Sequence, residues 1–128
     1  MPKFSLTIFT ISVAIFIVFF STIPLELPPL NKVGLSVDKL AHFLAYFTLS
    51  TMLGLALELE WVIKKSKRIV FIAVFLFGLF LELIQGYVLV YRAFEIYDLL
   101  ANTFGILAFI LFSKTVKKIV VKSRIFIN

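Results

Sequence analysis

The sequence predicts an all-α membrane protein, a bundle of four membrane-crossing helices. Three observations point there. Apolar residues make up 62% of the 128 positions, more than a soluble fold of this size can hide, because small domains leave much of their surface facing water. Those residues gather into four runs separated by short polar links. Basic residues crowd beside alternate ends of the runs, the mark of a topology set by positive charge.

Phe4–Ile23 carries no charged residue and matches the roughly 20 apolar residues that a helix needs to cross a bilayer core. Lys3 precedes it as in a secretory signal, but the apolar stretch is longer than signals carry and no small-x-small site follows. It is read as a retained span. Pro24, Pro28 and Pro29 then end the helix, since proline lacks an amide donor and clashes with the preceding turn. Leu40–Leu57 is the second run, with His42 as its one ionisable residue, and Glu58–Arg68 is a polar link. Ile69–Tyr91 is the third run, interrupted by Glu82 and Gln85. Leu99–Phe112 is the fourth and is short, so its helix is expected to continue among Lys114, Lys117 and Lys118, whose ammonium groups can snorkel. Length allows one domain, residues 1–128. The absence of cysteine excludes disulfides, thiolate catalysis and cysteine-ligated zinc.

Lys3, the second link (Lys64, Lys65, Lys67, Arg68) and the tail (Lys114, Lys117, Lys118, Lys122, Arg124) hold ten of the 13 basic residues. Lys32, Lys39 and Arg92 hold the rest. With an even number of spans, positive-inside places both termini in the cytoplasm. The same placement assigns the formal charge of +6 to membrane orientation, with the lipid bilayer as partner and no nucleic acid.

That topology gathers polar groups at the outer ends of three helices. Asp38 and His42 share a face of the second helix, with Lys39 beside them. Glu82 and Gln85 share a face in the outer half of the third. Asp98 and Asn102 open the fourth, and Arg92 lies in the link before it. Glu82 falls about 20 Å from the cytoplasmic edge, where an ionisable group must face the bundle interior, pair or be protonated. Each residue alone has a structural reading: Asp38 and Asp98 as helix caps, Glu82 and Asn102 as interhelical glue, His42 as a satisfied core histidine. Their convergence on one side favours a pocket.

These are also the residues by which the chain resembles a known family. Asp38-Lys39-Leu40-Ala41-His42-Phe43, Glu82-Leu83-Ile84-Gln85, Arg92, and Asp98-Leu99-Leu100-Ala101-Asn102-Thr103 with Gly105 resemble the VanZ-like family in order and spacing. The resemblance runs from Asp38 to about Phe112. The chain departs from the pattern before Arg92, where Val90-Tyr91 stand in place of a family glycine or proline. The resemblance implies a small bacterial four-helix protein of the cytoplasmic membrane, in a family whose namesake is associated with low-level teicoplanin resistance. It assigns no biochemical activity or cofactor, and members occur widely outside resistance clusters.

The leading expectation is an outer-leaflet pocket that binds, or in a stronger form modifies, a phosphate-bearing envelope lipid or lipid-linked precursor. Arg92 and Lys39 would grip the phosphate. His42, oriented by Asp38 or Asp98, would serve as acid, base or nucleophile. Glu82 and Gln85 would line the floor, and Asn102 would join Lys39, Gln85 and Arg92 in binding the ligand. Metal-dependent hydrolysis through Asp38, His42, Glu82 and Asp98 is a variant, but no recognised metal spacing is present, so no metal is assigned. A non-enzymatic accessory protein is the alternative. A proton-coupled transporter fits less well, because the cytoplasmic halves of the helices nearly lack ionisable groups.

The cysteine-free chain makes its topology directly testable. Val90→Cys should react with a membrane-impermeant maleimide in intact cells, whereas Lys65→Cys should react only after permeabilisation. The opposite pattern would invert the orientation.

Overall fold

The computed structural model describes residues 4–24 and 37–127, with side chains as far as Ser123. Pro28, Pro29, Lys3 and Lys32 lie outside the described residues. The described chain forms four helices and no strand: α1 Ser5–Thr22, α2 Val37–Leu59, α3 Ser66–Tyr87 and α4 Ile96–Ile127. Each is long and apolar enough to cross a membrane.

α1 and α2 match their apolar runs closely, and α4 continues through the tail lysines as expected. α1 stops at Thr22. Ile23 is extended, the conformation favoured for a residue that precedes proline, here Pro24. α3 departs from expectation by ending at Tyr87, four residues before the apolar run does. The cause is Gly86. A Cβ there would lie 2.5 Å from the Phe94 Cβ and 2.9 Å from its backbone nitrogen. The chain folds back against the bare glycine backbone, and Val88–Tyr91 becomes the turn.

The helices alternate in direction. Contacts between α2 and α4 form the largest interface, and α1 packs mainly on α2. Tyr46, Leu49, Val70, Val74, Leu81, Ile106 and Phe109 fill the centre, joined from α1 by Ile17. Large apolar side chains on the outside, among them Ile15, Phe16, Phe80 and Leu111, are more than half exposed. Lipid solvates such a surface, so helix association depends on close packing and polar contacts. Gly105 lets α4 approach the α2 backbone closely. A Cβ there would sit 2.5 Å from the Phe43 carbonyl oxygen and 2.8 Å from the Phe47 nitrogen, both α2 backbone atoms.

The end of the bundle remote from the predicted pocket is fastened by glutamates. Glu60 accepts hydrogen bonds from the Leu6 and Thr7 amides at 2.7 and 2.9 Å and from the Thr7 hydroxyl. It thereby satisfies orphan donors of the α1 N-terminus from another segment. Glu58 accepts from Ser66 and pairs with Lys117 at 3.0 Å, linking α2, α3 and α4.

Gly105→Val should force α2 and α4 apart, because the obstructing atoms are backbone and cannot rotate away. Overpacking of this kind costs about 1–3 kcal/mol. Thermal unfolding in detergent measures it, and an unchanged midpoint would contradict the close approach.

Candidate functional site

At the other end, the helical spacing that places Asp38 and His42 on one face of α2 aims both at the start of α4. The Lys39 ammonium bridges three carboxylates: Asp98 of α4, Glu95 of the preceding link at 2.5 Å, and Asp38 at 3.2 Å. Asp98 is only 4% exposed. A buried carboxylate needs such a partner, because transfer from water is costly for an unpaired ion.

His42 sits beside this cluster. Its Nδ1 lies 2.9 Å from the Asn102 Oδ1. An amide oxygen can only accept, so in the neutral ring Nδ1 carries the proton and Nε2 the lone pair. Nε2 faces Asp98 Oδ2 at 3.6 Å and Asp38 Oδ1 at 3.9 Å, beyond hydrogen-bonding range. The histidine is therefore oriented by Asn102, whereas the sequence assigns that role to an aspartate. The aspartates instead set the electrostatic surroundings of the nitrogen left to exchange a proton. Donor atoms of Asp38, His42 and Asp98 lie within 4.8 Å of one another, a grouping able to hold a metal ion. Two of its carboxylates already share the Lys39 ammonium, and Glu82 is not among the three.

Glu82 and Gln85 both point into the bundle, 1% and 3% exposed. Glu82 Oε2 accepts a long hydrogen bond, 3.5 Å, from the Glu95 amide. Gln85 donates to the Ser21 carbonyl of α1 at 2.9 Å. Tyr91 donates its hydroxyl to the Thr22 carbonyl, and Arg92 donates from Nη2 to the Ile23 carbonyl at 3.1 Å.

A cavity of about 180 Å³ opens between α1 and α2. Its polar lining is Asp38, His42, Tyr46, Arg92 and Ser21, and its apolar lining includes Phe16, Ile17 and Phe20. The predicted residues thus separate into layers. Asp38, His42 and Arg92 face the cavity. Lys39, Asp98 and Asn102 stand behind them, and Glu82 and Gln85 do not form its floor. Two contributors escape the sequence reading. Glu95 is not singled out there, yet it contacts both Lys39 and Glu82. Tyr46 continues the four-residue spacing of Asp38 and His42, with its ring stacked 6.5 Å from the imidazole. The spacing alone could have revealed it.

Fold and site define a multi-pass helical membrane protein with an acid–base cluster beside a cavity at one end of its bundle. The family model described as VanZ/LLP1 matches residues 4–117, and the chain belongs to that family. The match takes in α1, which the sequence motifs leave out. No curated protein and no solved structure matches the chain.

Lys39→Met should destabilise the protein more than Arg92→Met does, since it strips the cation from three carboxylates at once. Leaving a buried charged group unsatisfied costs about 1–3 kcal/mol or more. Parallel thermal denaturation of the two variants checks the order, and equal midpoints would contradict it.

Proposed function

We propose that this protein binds the phosphate-bearing headgroup of an envelope lipid or lipid-linked precursor at the outer leaflet of the bacterial cytoplasmic membrane. The observation that supports this reading is the state of Arg92. It lines the cavity, is steadied by one carbonyl of the α1 terminus, and forms no ion pair with a carboxylate among the described residues. The remaining donors of its planar fork suit a phosphate, which they can grip through two parallel hydrogen bonds. Lys39 is a poorer candidate for that grip, because its ammonium is already shared among carboxylates.

The surplus of acidic groups nearby does not oppose an anion. Glu82 is enclosed, Asp98 is paired to Lys39, and among the described carboxylates only Asp38 lines the cavity. His42 faces the same cavity with Nε2 positioned to give or take a proton. That geometry extends the proposal from binding to acid–base modification of the bound headgroup. A change in surface lipid or precursor would be a route to altered glycopeptide susceptibility.

Purified protein offered phosphatidate, polyprenyl phosphate and the zwitterionic phosphatidylcholine should retain phosphate-rich lipids preferentially. Arg92→Gln should weaken that retention about tenfold or more, the equivalent of one lost charge-assisted hydrogen bond. His42→Gln separates the two forms of the proposal: a binder keeps its ligand and cellular role, whereas an acid–base catalyst loses turnover. If no phosphate lipid binds and His42→Ala is silent in cells, the reading fails.

A further inference from the structure

The headgroup cavity does not end at its polar lining. A second cavity, of about 530 Å³, continues from it along the α1–α2 seam. The two share Phe16, Ile17, Ala41 and Ala45, and the second adds Phe9, Ser12, Val13, Leu44 and Thr48. Together they form one groove, polar at the Asp38–His42–Arg92 end and apolar over the rest of its length. Even its hydroxyls present little polarity. Ser12 donates back to the Ile8 carbonyl and Thr48 to the Leu44 carbonyl, both within their own helices.

The groove is built by how α1 is held. Glu60 ties its start, and Gln85, Tyr91 and Arg92 tie its end. Between these ties α2 presents Ala41 and Ala45, one turn apart on a single face. Side chains that short leave the seam unfilled where the ties fix the spacing. From Asp38 to Thr48 the groove, headgroup end included, follows ten residues of helix, or about 15 Å, of which the apolar stretch from Ala41 takes about 10 Å. It therefore ends within one leaflet of a bilayer whose hydrocarbon core is roughly 30 Å thick.

We infer that the groove holds one acyl chain of a phosphate-bearing glycerophospholipid whose headgroup lies at Arg92 and His42. This rests on the phosphate-lipid reading and narrows it. Continuity with the headgroup cavity and the charge of Arg92 set the orientation of the chain. The depth selects an acyl tail confined to one leaflet, since a long polyprenyl tail would overrun a groove of about 15 Å. The second acyl chain remains in the bilayer, on the open side of the seam between Phe16 and Leu44.

The test uses the full-length protein in lipid nanodiscs and phosphatidate bearing a diazirine near one chain end. The expected result is labelling of Phe9, Ser12 and Thr48 well above that of Leu111, which is 75% exposed and far from the groove. Thr48→Trp, at an exposed position, should fill the lower groove and reduce retention of long-chain phosphatidate about tenfold. Retention of a short-chain analogue, which reaches only the headgroup cavity, should be unchanged. Should Thr48→Trp fail to fold, Ser12→Phe blocks the same stretch from α1, and the labelling pattern in the unaltered protein decides independently. Uniform labelling of Leu111 and the groove would overturn the inference, as would preferential retention of polyprenyl phosphate. Loss of binding in Arg92→Gln with no chain-length dependence would sink the groove alone and leave the headgroup reading standing.

Discussion

The polar end of this bundle depends on one ammonium group. A buried carboxylate such as Asp98 is costly without a partner, so it must find one within the protein. Lys39 meets that demand for Asp38, Glu95 and Asp98 together. The consequences reach three helices. The bridge draws the start of α2 to the start of α4, and it fixes Glu95, whose backbone amide contacts Glu82 in α3. With those carboxylates placed, His42 has two oxygens in front of Nε2 and the Asn102 amide behind Nδ1. The surroundings of the histidine therefore follow from contacts made by its neighbours.

The two ends of the bundle use similar chemistry for different outcomes. At the Glu58 and Glu60 end, carboxylates accept from amides, hydroxyls and an ammonium of other segments and tie the helices together. At the Lys39 end the network leaves a cation and an imidazole facing a cavity. The middle of the molecule is apolar, and its seams differ. α2 and α4 meet backbone to backbone at Gly105, whereas α1 stands off from α2 along Ala41 and Ala45. α2 thus has a tight seam on one face and an open one on another.

Much of this is legible in the residues. Apolar run length gives four helices, because a bilayer imposes a length on any helix that crosses it. The one-turn spacings Asp38–His42 and Asp98–Asn102 give the faces, because helical geometry is fixed. Partner choice is not legible. Nothing in a run of types states that Lys39 would turn to carboxylates and leave the cavity to Arg92, or that Asn102 and not an aspartate would hold the imidazole. Those outcomes depend on the distance and rotation between helices, which Gly105 sets through its contacts with the α2 backbone. The early end of α3 is equally hidden, since Val88–Tyr91 is as apolar as a helix continuing through it would be.

α1 shows the clearest limit. By residue type it is a featureless span with no charged side chain, so sequence motifs pass over it. Beside the side chains that line the cavity, it holds Gln85, Tyr91 and Arg92 through its backbone. A helix leaves its last carbonyls without intrahelical donors, and here the chain turns extended at Ile23 ahead of Pro24. The carbonyls of Ser21, Thr22 and Ile23 thereby become acceptors for Gln85, Tyr91 and Arg92. Every residue carries a carbonyl, so no choice of side chain announces this role. Pro24 is the nearest thing to a signal. By stopping the helix where it does, it exposes the acceptors that anchor Arg92 at the cavity wall.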